Sequence, residues 1–415
     1  MSAAPSLAPS HALLRPVAGL LIMVLLALSS GCGDGGDGPK PVPDRVSDKL
    51  CVEVDHFESD NKKIDLALVV DNTASAARGE LPPAATRALD EAQGRARERK
   101  SAGQVVLIAV NGAGMQPSVV RRVALDPKPG DAESSRNARG AVISCVRQWA
   151  REAAPQAKGS DVLAAITFAA RQQAEQILVV SDGVANAGEL DVNGDALDTD
   201  PTALAQALLR DKRISAETMR GSSIVWAGLG DTAEPLDGSV RAALQELWLE
   251  ILTKAEAKVT FDKQPRESGV SDDNLPLDPV SLVATRTRLP CGSRFIAPGT
   301  VLFKPGSDKL RPKVEDVLRP VVEQLRANPD QHALVTGHTA AYQSKRYRQR
   351  LSEDRARAVR AELIRLGAPA ERVRDAGYGS RRPLVDEFPG GRHDKIRAAQ
   401  NRRVEIDVSR KDCAR

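Results

Sequence analysis

From Ile64 onward the chain alternates short apolar runs with stretches of helical period. "IDLALVV" (64–70), "VVLIAV" (105–110), "QILVV" (176–180) and "SSIVWAGLG" (222–230) are continuous enough to predict strands buried on both faces, as in a parallel sheet. Between them, 161–174, 201–210 and 239–258 predict helices. In the last of these, Leu244, Leu247, Trp248 and Ile251 fall on one face. Strand–helix alternation predicts an α/β fold with a doubly wound, mainly parallel sheet, whose ligands bind beyond the carboxyl ends of the strands.

After Phe261 the pattern lapses into a proline-punctuated linker, 263–294, and a second periodic block begins near Phe295. Here 299–310 predicts a strand and turn, 312–327 a helix, and "QHALVTGHT" a strand. Residues 351–366 predict a second helix, capped by Ser352 and stopped at Gly367. Ala356, Val359, Leu363 and Leu366 would form its core face. Arg355 would then lie in the first turn, opposing the helix dipole by roughly 0.3–1 kcal/mol. "RVRDAGYGSRRP" and "NRRVEIDV" predict two further strands, completing a smaller α+β domain.

Composition narrows the functions available. The chain has 415 residues, 41% of them hydrophobic, enough for two domains with tethers. Aromatics at 3% argue against an aromatic-lined groove, and a net charge of +4 argues against a nucleic-acid binder. Residues 1–31, with Arg15 before "VAGLLIMVLLALS", predict a signal segment too short to span a bilayer comfortably. "LSSGC" (28–32) resembles the cleavage box of bacterial lipoproteins, although its leucine lies one place further upstream than usual. The resemblance implies lipidation at Cys32, export, and anchoring either at the outer membrane and periplasm or on the outer face of the plasma membrane. Residues 32–50, opening with "CGDGGDGPKPVPD", predict a flexible tether. Cys51, Cys145, Cys291 and Cys413 allow three pairings or some buried thiols; their positions around the two domains favour one bridge per domain.

The most specific chemistry lies at the predicted strand ends. "DNTAS" places Asp71, Thr73 and Ser75 in alternation after the first strand, "SDG" places Asp182 after a later one, and Ser160 opens a helix between them. Two carboxylates and three hydroxyls form a hard-oxygen set suited to Mg²⁺; alternatively the hydroxyls cap turns and helices. The set resembles the metal-ion-dependent adhesion site of von Willebrand factor A domains, over residues 51–262. The resemblance implies Mg²⁺ on Asp71, Thr73, Ser75, Ser160 and Asp182, and a protein partner that contributes a carboxylate. "DVNGDALDTD" (191–200) opens like a calcium-binding EF-hand loop, but Ala196 and Thr202 stand where glycine and glutamate are needed, so a solvated acidic loop is expected.

"LFKPGSDKL", "TGHT", "LSEDRARAV", "AGYGSRRP" and "NRRVEI" occur in the order found in OmpA-like domains, which this segment, 295–410, resembles; 411–415 form a tail. The resemblance implies non-covalent binding of peptidoglycan, with Thr339, Arg348, Arg355 and Arg403 as candidate ligand residues. In the family the arginine matching Arg355 binds the carboxylate of a stem-peptide diamino acid, and an aspartate after the Gly-His-Thr pairs with its ammonium. This chain has Ala340 at that aspartate and Arg348 where asparagine is usual. Lys345, Arg346, Arg348 and Arg350 meanwhile form a basic flank, which suits carboxylates or phosphates of anionic wall polymers. The expected function is a tether or scaffold between wall and protein partner, the alternative being a scaffold or envelope sensor whose OmpA-like domain has lost the stem peptide. No Ser/His/Asp or Cys/His set and no phosphate loop falls in a credible position, so an enzyme is not expected.

Overall fold

The four apolar runs become neighbours in one sheet. A computed structural model describes residues 47–57, 63–76, 80–127, 132–192, 196–233, 235–264 and 282–410. Residues 1–31, the proposed lipidation site Cys32 and Cys413 lie outside the described residues.

The first sheet contains β1 (Leu66–Val70), β2 (Gln104–Ala109), β3 (Ser118–Ala124), β4 (Gln176–Val180), β5 (Ser223–Ala227) and β6 (Lys258–Phe261), in the order β3-β2-β1-β4-β5-β6. All neighbours are parallel except β2 and β3. Two strands went unread in the sequence. β3 is an edge strand that exposes Arg121 and Arg122, charges that blunt an edge and disguise its apolar period. β6 falls where the last helix was expected to finish; that helix ends at Lys254, and the chain turns through Glu256 at φ 64°.

Helices α1 (Asp48–Asp55), α2 (Pro83–Glu98), α3 (Ala132–Glu152), α4 (Val162–Arg171), α5 (Pro201–Arg210) and α6 (Gly238–Lys254) surround this sheet. Alternate β1 residues serve opposite faces: Leu66, Leu68 and Val70 pack with Leu89 of α2 and Val146 of α3. Ala67 and Val69 join Ile166 of α4 and Leu244 of α6 on the other. Helix α1 starts inside the stretch expected to be a flexible tether, and a Cys51–Cys145 disulfide fastens it to α3.

The second sheet contains β7 (Thr285–Leu289), β8 (Gly292–Pro298), β9 (Gln331–Gly337), β10 (Val373–Gly377) and β11 (Arg403–Arg410), ordered β10-β9-β11-β8-β7. Only β9 and β10 run parallel. β7 and the start of β8 occupy what the sequence presented as linker, and Leu282 is already buried. The stretch after β8, expected as a strand, begins instead with a single helical turn, Gly299–Leu302. Helices α7 (Val314–Ala327), α8 (Lys345–Arg365) and α9 (Lys395–Asn401) complete this part.

Both sheets draw on one apolar core, in which Leu244 and Trp248 of α6 belong to the same cluster as Val301, Phe303, Val335 and Ile406. Polar contacts reinforce the junction. Ser239 donates to the Val301 carbonyl at 3.1 Å, and buried Arg311 donates to the carbonyls of Thr300 and Leu197 at 2.7 and 2.8 Å.

Helix α8 begins two turns earlier than the sequence suggested. Ser344 is its cap, with its hydroxyl accepting from the Tyr347 N–H at 3.3 Å. Ser352 is buried inside the helix, so Arg355 lies clear of the first turn and the expected dipole penalty does not apply to it. Lys345 and Arg346 occupy that first turn instead. Gly337 and Gly377 are paired in β9 and β10, and α8 crosses them closely. A Cβ on Gly337 would meet the Ser352 carbonyl oxygen at 2.1 Å, and one on Gly377 the Glu353 nitrogen at 2.5 Å.

Candidate functional site

The start of α8, the loop after β9 and the entry to β11 enclose a cavity of about 460 Å³. Thr339, Ala340, Tyr342, Tyr347, Arg348 and Arg355 line it, together with His393, Lys395 and Arg402. Two of the three tyrosines in the chain are among these lining residues.

Arg355 is 3% exposed and held along its length. Its guanidinium lies over the Phe303 ring at 4.9 Å, and its Nε donates to the Ser307 carbonyl at 2.9 Å. Phe303 and Ser307 both come from "LFKPGSDKL", which explains why that motif accompanies the arginine. Among the described residues no carboxylate lies within ion-pair distance of Arg355, and no hydrogen bond engages its two terminal nitrogens. Burial lowers the guanidinium's pKa, and the charge of Asp198 is the largest influence opposing it. Arg348 Nε and Thr339 Oγ1 are also buried without hydrogen-bond partners among the described residues. These donors are arranged for an oxygen-rich anion.

Arg403 does not belong to this group. Its Nε and Nη2 bind Glu405, and it also donates to the carbonyls of Asn401 and Arg382. The preceding residue, Arg402, lines the cavity instead. Nor do Glu387, Glu353 or Asp354 replace the aspartate absent at Ala340. Glu387, buried close by, spends one oxygen on the Ala341 N–H and the other on the Asn401 side chain. Glu353 binds Gln349, and Asp354 binds Arg357. His338 is structural: its Nε2 lies 3.2 Å from the Thr336 hydroxyl, and burial, aided by the charge of Arg403, pushes its pKa down to about 4.

The second group lies at the carboxyl edge of the first sheet. Val70 and Val180 are register partners, so the loops after β1 and β4 leave the sheet side by side. Asp71 Oδ1 accepts from the Thr73 hydroxyl at 2.7 Å, and Thr73 lies 3.3 Å from the Ser75 hydroxyl. Asp71 Oδ2 accepts from Ser160 at 2.8 Å and from Ser181 at 2.7 Å. Four of the five predicted residues are thereby joined, and Ser181 adds an oxygen that the sequence reading passed over, although it stands inside "SDG". Asp182 is in the same loop, where its Oδ1 accepts from the Val184 N–H at 2.9 Å.

Two tryptophans fix that loop. Trp226 donates to the Ser181 carbonyl at 2.8 Å and Trp248 to the Gly183 carbonyl at 2.9 Å, their rings tilted at 50° with centroids 4.8 Å apart. Asn72 secures the other loop by donating to the carbonyls of Ala150 and Ala153. Among the described residues no cluster of three or more His, Cys, Asp or Glu side chains is placed to hold a metal. A cation here would need a mixed carboxylate and hydroxyl set, and the linked oxygens of Asp71, Thr73, Ser75, Ser160 and Ser181 are hard donors of that kind.

Residues 302–397 match the OmpA family. Over 119 residues the chain is 34% identical to the outer-membrane lipoprotein YfiB of Pseudomonas aeruginosa, a match covering 28% of this chain and 67% of that protein. The chain belongs to the OmpA family. It is also 31% identical over 119 residues to the Photosystem I P700 chlorophyll a apoprotein A2 of Gloeobacter violaceus, spanning 28% of this chain but only 14% of that longer protein. Among solved structures, the cell wall anchor of the T6SS from Pseudomonas aeruginosa is similar at 26% identity and a TM-score of 0.28, covering 31% of this chain and 88% of that one. The OmpA-family segment contains Thr339, Arg348, Arg355 and Lys395, but Arg402 lies beyond it and Asp198 belongs to the first sheet's side of the chain.

Proposed function

We propose that this is an exported, lipid-anchored envelope protein whose OmpA-like domain holds peptidoglycan, or another anionic wall polymer, non-covalently. The observation that carries this reading is Arg355, a buried guanidinium without a carboxylate partner among the described residues, beside the unpartnered Thr339 hydroxyl. A carboxylate of the wall polymer would complete both. Lys345, Arg346 and Arg350, exposed on the first turns of α8, extend positive charge from the cavity outward. The name of one relative, an outer-membrane lipoprotein, supports the same setting.

Pelleting of the purified protein with isolated peptidoglycan sacculi tests this directly. Binding is expected at low ionic strength, with marked loss on adding salt. Failure to pellet at either ionic strength would leave an envelope scaffold or sensor without a wall ligand.

For the first domain we propose a von Willebrand-type site. Asp71, Thr73, Ser75, Ser160 and Asp182 would hold Mg²⁺, directly or through water, leaving a position for a carboxylate of a protein partner. When bound, the ion supplies Lewis-acid attraction for that carboxylate. The loops anchored by Asn72, Trp226 and Trp248 keep the oxygens in place before it arrives. In this reading the protein bridges wall and partner without chemistry of its own.

A further inference from the structure

The acidic loop expected to be solvated has another role. Its last turn, Ala196–Asp198, reaches the OmpA-like domain, where Asp198 makes an ion pair with Arg402. The pair is partly exposed, with side-chain exposures of 14% for Asp198 and 19% for Arg402. Both residues line the 460 Å³ cavity, as does Thr199. Arg348, Arg355, Lys395 and Arg402 contribute positive charge there, and Asp198 is the only acid among the described lining residues. The Leu197 carbonyl, which accepts from buried Arg311, holds this turn in position.

We propose that Asp198 is the resident anion of this cavity, and that a ligand carboxylate must displace it from Arg402 to bind fully. This rests on the wall-binding reading above and adds its regulation. A carboxylate supplied by the first domain occupies one cation of the site while Arg355 stays open. A polymer carboxylate entering the cavity is drawn to Arg355 and competes with Asp198 for Arg402. Binding is thereby linked to release of the Ala196–Asp198 turn. Because linkage is reciprocal, anything that draws this turn away, including a ligand on the first domain, tightens wall binding. Conversely, a firmly docked turn weakens it.

The test uses the full chain and purified peptidoglycan sacculi. Wild type, Asp198→Asn and Asp198→Ser are compared at low salt, with thermal melts confirming that each is folded. Both substitutions are expected to tighten binding by about three- to tenfold, since a partly exposed ion pair is a modest competitor. They should also steepen the salt dependence, because one more cation becomes available to the polymer. Weaker binding by both variants would make Asp198 part of the ligand grip and overturn displacement. Unchanged binding would overturn it too, while leaving the wall-binding reading intact. If wild type and both variants all fail to bind, the wall-binding reading falls and displacement falls with it.

Discussion

Gly337 and Gly377 stand opposite each other in adjacent strands, and helix α8 crosses the pair at Ser352 and Glu353. This contact sets the height of α8 above the sheet, and so the position of Arg348 and Arg355 in the cavity. Substituting either glycine by alanine forces the helix outward. Gly377→Ala is expected to cost roughly 2–3 kcal/mol, in the range of an overpacked core. Chemical denaturation measures that cost, and sacculus pelleting of the folded fraction should show weaker binding as well.

Arg355→Lys separates charge from geometry. Lysine keeps the positive charge but lacks the planar fork that can hold a carboxylate from two nitrogens. Loss of one charge-assisted contact, roughly 1.5–3 kcal/mol, predicts about ten- to a hundredfold weaker sacculus binding. A titration on sacculi, alongside a melting curve to register the lost Phe303 and Ser307 contacts, gives both quantities. Equal affinity of the two proteins would remove Arg355 from the binding site.

Added Mg²⁺ should stabilise the first domain if its oxygen set holds the ion. At a hundred times its Kd, a ligand bound only by the folded state contributes about 2.7 kcal/mol. Thermal melts with and without Mg²⁺ are expected to differ for wild type. They should coincide for Asp71→Asn and Ser75→Ala, two variants that remove different oxygens. Coincident melts for wild type itself would argue against the ion.

His338 gives the OmpA-like domain an acid-sensitive element. Its folded pKa of about 4 lies below the ordinary 6.5, so the unfolded chain takes up a proton that the folded one excludes. The resulting stability is fully present above about 6.5 and is lost as pH falls toward about 4. The shift corresponds to roughly 3 kcal/mol across that window. Unfolding midpoints measured through the window should fall more steeply for wild type than for His338→Gln. Parallel profiles would mean that the imidazole contributes nothing to acid sensitivity.

Much of the architecture was legible locally. The runs at 64–70, 105–110, 176–180 and 222–230 are short and apolar at consecutive positions, as strands covered on both faces are. Parallel strands end on one edge, so the side chains after two of them could be expected to meet, as Asp71 and Ser181 do. The capping of α8 was harder to read. Ser344 and Ser352 are equally good caps by composition, and the choice follows from packing, because Ser352 is the residue that lies against Gly337 and Gly377.

The sequence by itself determined the first sheet's four parallel strands and the OmpA-like segment that follows, because one is written in local period and the other in a run of motifs. Tertiary structure alone decided that Arg402 and not Arg403 faces the cavity. Neighbouring side chains diverge at the start of a strand, and a shift of one position reverses the face. It alone also brought Asp198 to Arg402. That meeting depends on a core shared by two sheets and on Arg311 holding the intervening turn, neither of which leaves a mark in the residues around Asp198.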